Sequence, residues 1–459
     1  MRKLFSFFFI IYFFTNSFCY SDNNIINMLN SIFSPKVFND SNYSCFVCDS
    51  SGNEIYSINP GDVLIPASNQ KLYTAIASLI EFGPEYRNST IVARRGKIID
   101  GELNGDLIFK GYGAINFTAR YPYYKSFDEK NLILKNQILD FIKKLKGQGI
   151  SKINGKLIAD NSEWTDLKEN ELYNAAGPLT FHENTLDILV TGNQISTTPK
   201  KYFDFTILAE KFEGEQKRNS DNGKMTDTIL INTSKDSRDY WRIEEAKPSE
   251  YFLKNMAYQL SENGIIIENK DINPDAEQTS DLFVIKGISV KQIVSDMLLH
   301  SDNLRAELLF LNLGYKLLKK ANHENSRLAI KQIFEKNNLI LDSFEPYDGS
   351  GISYNNKIST YDTSKVLLYI KNSKYFEVIK ESLPVAGEKG SLINYLNSPI
   401  LMGKVFAKTG TLDNCKTLSG YLIKNSNVYI FSFFVNNWKD HEKAWSAFQN
   451  ALVILYKNL

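Results

Sequence analysis

The stretch Pro66-Ala67-Ser68-Asn69-Gln70-Lys71 opens a run in which Leu72, Ala75, Ile76, Leu79 and Ile80 recur at helical spacing, until Gly83-Pro84 stops it. It is the only Ser-x-x-Lys in the chain. Positions i and i+3 share a helix face, so the Ser68 hydroxyl and the Lys71 amine are expected side by side in the first turn. That turn also presents unpaired N–H groups and the positive end of the helix dipole. A hydroxyl, a neighbouring amine and free N–H donors are the parts of a nucleophilic serine site that works without histidine.

The 459 residues are enough for two or three domains. A net charge of +1 gives no reason to expect a nucleic-acid partner. Arg2 and Lys3 precede the apolar run Leu4 to Phe14, and Thr15 to Cys19 are small or polar apart from Phe18. This is the layout of a signal peptide over residues 1–19, cleaved after Cys19. The run is shorter than the ~20 residues of a membrane span, and no later stretch reaches that length. An exported protein of the periplasm or envelope exterior is expected, with no integral span after cleavage. Lipidation of Cys19 and an uncleaved anchor are the alternatives, and bulky Phe18 weighs against the first. Cys45 and Cys48 lie in a strand-like run and point to opposite faces, so they should not pair. The four histidines, His182, His300, His323 and His441, are scattered; no metal or other cofactor is expected.

Along the chain, Tyr43 to Asp49 and Glu54 to Ile58 read as a hairpin leading into the Ser68 helix. Short strands with glycine punctuation follow to about residue 112, then a helix over about 131–146 and a strand over 152–160. Residues 163–285 read as mixed and mostly strand-like, with a solvated loop near 211–226 and a helix at about 249–263. Helical periodicity resumes over 290–299 and 304–319, and again near 361–382. Val405 to Thr411 reads as a strand. Thr417 to Ile423 and Val428 to Val435 form a hairpin, and a closing helix covers about 440–457. The two ends thus read as one unit, residues 23–88 and 285–459, with 89–284 inserted. Pairing the first and last strands would close one antiparallel sheet.

Two further motifs sit in matching settings: Ser301-Asp302-Asn303 between two helices, and Lys408-Thr409-Gly410 on the strand. Ser-x-x-Lys, Ser-Asp-Asn and Lys-Thr-Gly in this order resemble the signature of class A β-lactamases and penicillin-binding proteins. The segments Pro66 to Leu72, Ser301 to Glu307, Asp348 to Ser353, Leu383 to Gly387 and Lys404 to Leu412 resemble those of the D-alanyl-D-alanine carboxypeptidase/endopeptidase family of class C, low-molecular-mass penicillin-binding proteins. As in that family, a large insertion parts the first two motifs: Ser301 lies 233 positions after Ser68. The resemblance implies an α+β fold: a β-lactamase/transpeptidase-like domain with a five-stranded antiparallel sheet flanked by helices. It also implies an insertion of two nested, mostly β domains, the inner one about 94–160.

The resemblance further implies hydrolysis of peptidoglycan stem peptides or cross-links through an acyl-enzyme on Ser68, with β-lactam antibiotics as inhibitors. Lys71 would take the Ser68 proton, its pKa lowered by burial and by Lys408. Ser301 would relay a proton to the leaving amine, and Asn303 would orient Lys71 and the substrate amide. Lys408 and Thr409 would hold the terminal carboxylate, and Gly410 would let substrate approach the strand. The N–H groups of Ser68 and Thr411 would bind the oxyanion. Asp302 is expected to be a turn residue, Glu307 a helix salt-bridge partner, and Asp348 to Ser353 chiefly structural. Two departures stand out: Ala114-Ile115 follows Gly111-Tyr112-Gly113 where the family has Asp-Pro, and Tyr354 stands where it often has Arg. Competing readings are a β-lactamase or esterase of the same superfamily, against which the insertion counts, and a non-catalytic wall-binding protein, against which the full motif set counts.

Overall fold

The computed structural model describes residues 23–39, 41–121, 125–164, 175–191, 194–200, 218–219, 228–229, 238–244, 247–272 and 279–459. The expected leader over 1–19, Cys19 included, and most of the loop near 211–226 lie outside these residues. Helices α1 (Asn23–Ile32) and α2 (Pro35–Phe38) lead into strand β1 (Asn42–Cys48), which returns as β2 (Glu54–Ile58). The turn between them is tied by Asp49, whose Oδ1 accepts the N–H groups of Ser51 and Asn53 at 2.8 and 2.9 Å. A 3₁₀ turn, Ala67–Asn69, then starts α3 (Gln70–Phe82).

The insertion follows. Strands β3 (Ser89–Ile99) and β4 (Glu102–Gly111) form a long hairpin, and α4 (Phe127–Gly147) leads to β5 (Lys152–Ile153) and β6 (Leu157–Asp160). Strands β7 (Thr185–Thr191), β8 (Gln194–Thr198), β9 (Arg218–Asn219), β10 (Thr228–Ile229) and β11 (Arg238–Glu244) come next. Then α5 (Pro248–Glu262), β12 (Ile266–Ile267) and β13 (Ser280–Lys286) complete it. The strand expected over 152–160 is broken after Ile153, where Asp106 Oδ1 takes the N–H of Lys156 at 2.8 Å.

The first sheet of the insertion runs β12-β5-β4-β3-β13, with β6 also on β4; the second runs β11-β7-β8. The stretch of about 94–160 expected as an inner domain is therefore not a separate unit. It shares its sheet with β12 and β13, more than a hundred positions later, while β7, β8 and β11 form the sheet set within and β9 and β10 pair with each other. The two sheets also share a core, in which Phe109, Phe117, Phe141 and Phe252 pack with Leu186 and Ile188.

Helices α6 (Val290–His300), α7 (Asn303–Leu318), α8 (His323–Lys336), α9 (Thr360–Lys371) and α10 (Phe376–Ser382) precede β14 (Val405–Leu412), β15 (Cys415–Lys424), β16 (Asn427–Asn436) and the closing α11 (His441–Asn458). These strands join β1 and β2 in a five-stranded antiparallel sheet ordered β14-β15-β16-β1-β2, in which Cys45 faces Phe433. The first and last strands are neighbours, as the sequence suggests. Strand alternation then builds two cores. Cys45, Val47, Phe431, Phe433 and Val435 pack under α1 and α11, whereas Phe46, Cys48, Ile430 and Phe434 pack under α3, α6, α7 and α9. Cys45 and Cys48 thus lie on opposite faces, both buried and unpaired. No helix among the described residues is long and apolar enough to cross a membrane.

Candidate active site

Ser68 sits in the 3₁₀ turn that opens α3, half-buried, and Lys71 is fully buried one turn on. Ala67 before it is held left-handed, at φ +47°, which costs a non-glycine residue about 1–2 kcal/mol. Its carbonyl is pressed against Gly351: a Cβ there would lie 1.9 Å from Ala67 O, and φ is +84°. Lys71 Nζ donates to Ser68 Oγ at 2.9 Å, to Asn303 Oδ1 at 2.6 Å and to the Ser350 carbonyl at 2.6 Å. An ammonium has three protons, and here each has an acceptor.

The loop between α6 and α7 faces this pair. Ser301 is left-handed at φ +57° and ends α6; Asp302 caps α7, its Oδ1 accepting the Arg305 N–H at 3.0 Å. Asn303, the first residue of α7, is thereby aimed at Lys71. Across the cleft runs β14, the edge strand of the sheet. Lys408 Nζ donates to Ser301 Oγ at 2.9 Å and to Thr409 O at 2.8 Å. Thr409 Oγ1 is 2.8 Å from Ser391 Oγ, and Thr411 is exposed at the strand's end. At Gly410 a Cβ would meet Thr417 Oγ1 at 2.1 Å and Pro66 O at 2.9 Å, so only glycine lets β14 lie this close to the Ser68 turn. The structure thus groups Ser68, Lys71 and Asn303 on one wall, and Ser301 with Lys408, Thr409, Gly410 and Thr411 on the other.

Burial pushes Lys71 down to about 8, against the pull of Asp348, Glu307 and Asp302. Lys408, buried beside no such carboxylate, lies far below its ordinary range through burial and then through Lys71. The expected repulsion between the two lysines therefore falls on Lys408, and Lys71 is depressed by desolvation. Beneath Lys71 sits a buried carboxylate pair. Glu307 Oε1 accepts the N–H groups of Gly349 and Ser350 at 3.1 and 2.9 Å, and Asp348 Oδ1 accepts those of Ser350 and Gly351 at 3.1 and 2.6 Å. Burial, then the Glu307 charge, lifts Asp348 to about 6, with the backbone N–H bonds opposing. Glu307 is thus more than a helix salt-bridge partner: besides its 3.2 Å contact with His323 Nε2, it fixes the segment whose Ser350 carbonyl holds Lys71.

The insertion reaches the site through charge. Three successive left-handed residues, His182, Glu183 and Asn184, push the buried Glu183 carboxylate onto Arg305, with contacts of 2.8 and 2.9 Å. Arg120 lies 3.3 Å from Glu183 and 3.0 Å from Asp302, and the Tyr121 hydroxyl bonds Asp302 as well. Asp296 takes the remaining arm of Arg305 at 2.5 Å. Burial would raise Glu183, but Arg305 and Arg120 outweigh it and hold the carboxyl well below its usual range. Asp302 is accordingly more than a turn residue.

A lysine desolvated against a serine at a helix start, over an antiparallel sheet whose edge strand carries a second buried lysine, is the arrangement of the β-lactamase/transpeptidase-like fold. Comparison with known proteins narrows the class. The chain belongs to the D-Ala-D-Ala carboxypeptidase 3 (S13) family, whose model matches residues 36–201 and 213–459. It is 25% identical to the D-alanyl-D-alanine carboxypeptidase DacB of Haemophilus influenzae, over 88% of this chain and 87% of that one. It is 24% identical to the D-alanyl-D-alanine carboxypeptidase of Actinomadura sp. strain R39, over 84% and 76%. The crystal structure of penicillin binding protein 4 (dacB) from Haemophilus influenzae, complexed with a β-lactam, superposes with a TM-score of 0.73 at 22% identity, covering 93% of this chain and 99% of that one.

Proposed function

We propose that the chain hydrolyses the D-Ala–D-Ala bond of peptidoglycan stem peptides through an acyl-enzyme on Ser68, as carboxypeptidase and as endopeptidase on cross-links, and that β-lactams acylate the same hydroxyl. The observation that carries this is the triple anchoring of Lys71. When Lys71 loses a proton, Asn303 Oδ1 and Ser350 O retain the two remaining N–H bonds, and the lone pair is left facing Ser68 Oγ. With a pKa of about 8, roughly a tenth of Lys71 is uncharged at pH 7. Ser68 Oγ attacks the carbonyl carbon as its proton passes to Lys71. The N–H groups of Ser68 and Thr411 take the oxyanion. The C–N bond then breaks, and D-alanine leaves with a proton delivered through Ser301. Water enters the same path in reverse to release the acyl group. Lys408 and Thr409 hold the substrate's terminal carboxylate.

The same reading assigns residues 23–88 and 285–459 to the catalytic unit and 89–284 to the insertion, in keeping with which strands pair. The leader at 1–19 supports export to the periplasm or envelope exterior. The test is acylation by a fluorescent penicillin, followed by assay of D-alanine release from a stem pentapeptide. The native chain should be labelled and Ser68→Ala should not. Labelling of both, or fast turnover of the penicillin without D-alanine release, would sink the proposal.

A further inference from the structure

Lys416 lies outside the three motifs, yet it is directly opposite Thr411 across the β14–β15 hairpin. Only 6% of it is exposed, and its Nζ donates to Thr411 Oγ1 at 2.8 Å. The same ammonium sits 4.7 Å from the ring centre of Trp445 on α11, which is in turn stacked on Tyr395 at 4.6 Å. The lysine stem is thus clamped and its direction set. Burial pushes Lys416 down to about 8, while Glu442 and Cys415 hold it up, so the side chain is mostly charged at pH 7.

We propose that Lys416 is a positioning residue that makes the Thr411 hydroxyl a donor toward the substrate's C-terminal carboxylate. A threonine hydroxyl has one proton and two lone pairs, and an ammonium can only donate. With Lys416 occupying a lone pair, the Thr411 proton must point elsewhere. Thr411 lies with Thr409 on the face of β14 turned to α11, but it stands exposed at the free edge that borders the cleft, and that edge is where its proton finds an acceptor. Thr409 Oγ1 shares a hydrogen bond with Ser391, and Thr411 is the second hydroxyl on this edge to serve the anion. Lys416 adds positive charge behind it. The effect is selectivity for a free carboxylate over a blocked one.

The inference rests on the Ser68 reading, and its test separates the two. Acylation rate constants are measured for a penicillin and for its methyl ester, and the acid-to-ester ratio is taken. The Lys71 step is common to both compounds and cancels. Lys416→Met, which keeps the stem over Trp445, should lower the ratio about tenfold, the scale of one hydrogen bond to a charged group. Lys416→Arg should restore most of it. Thr411→Val should lower the ratio alike, and adding Lys416→Met to it should lower it no further. An unchanged ratio in Lys416→Met, or equal loss on acid and ester, would overturn this proposal alone. A native chain that neither compound acylates would overturn the Ser68 reading, and this one with it.

Discussion

Replacing Glu307 by glutamine should make the enzyme faster at neutral pH. The amide oxygen keeps both backbone N–H bonds of Glu307, from Gly349 and Ser350, so the segment behind Lys71 holds its shape. What disappears is a buried negative charge that favours protonated Lys71. Glu307 and Lys71 touch the two ends of Ser350, at its N–H and its carbonyl, which places the charges within about 9 Å along that path. At an effective dielectric of ~20 this is worth somewhat under 2 kcal/mol, or a Lys71 pKa lower by slightly more than one, near 7. The uncharged fraction at pH 7 then rises from roughly a tenth to about a half. Stopped-flow acylation by a penicillin over pH 6 to 10 should show the rising limb displaced to lower pH and a rate at pH 7 about fivefold higher. Above pH 9 the variant should be no faster than native, because a less basic amine accepts a proton less readily. A limb that stays in place, moves to higher pH, or falls in height at every pH would refute the account of how Lys71 is tuned.

Glu183→Gln leaves Arg305 and Arg120 short of a buried counter-charge and should cost about 3–5 kcal/mol of stability at pH 7, read by urea unfolding. Native Glu183 has a lowered pKa, so its contribution is complete above the unfolded value of ~4.3 and fades as pH falls toward the folded one; the gap between native and variant should shrink below about pH 4. The same variant should slow penicillin acylation at least severalfold, since Arg305 and Asp302 lie in the turn that presents Ser301 and Asn303. Gly351→Ala should destabilise by at least 2 kcal/mol and abolish labelling of Ser68, because the added methyl meets Ala67 O at 1.9 Å and φ is +84°. Near-native labelling in that variant would remove the argument for a strained Ser68 turn.

Local pattern was enough to place Ser68 and Lys71, the bounds of β2, and the pairing of first and last strands. Each rests on short-range periodicity or on an unpaired hydrophobic strand that needs a neighbour. The extent of the inner unit was not legible, because β12 and β13 join β5 and β3 across more than a hundred positions and leave no mark in either stretch. Helix α8 was hidden by its charges, His323, Glu324, Arg327, Lys331, Glu335 and Lys336, which dilute an apolar stripe as short as Ala329, Ile330, Ile333 and Phe334. The Ser350 carbonyl has no side-chain signature at all. Arg305 and Glu307 did carry a signal: they stand in a helix that is apolar almost all round from Leu304 to Leu313, where charges persist only in pairs. Of the partners, Glu183 for Arg305 comes from the insertion and could not have been named, and His323 for Glu307 comes from the next helix. Lys416 passes for an ordinary strand lysine until its cross-strand neighbour is known.

Because β1 is sandwiched between β2 and β16, the central sheet stays open until almost the whole polypeptide has been made. Asn42 must find Asn436, a closure so remote that it orders late in folding. The serine is synthesised early, whereas Lys408 and Lys416 arrive with the last three strands, β14 to β16. A chain caught before that point carries a reactive alcohol with no opposing wall, and so no competent cleft. Catalytic power is thereby withheld from a nascent chain, or one cut short before these strands, and appears only once they have closed the sheet.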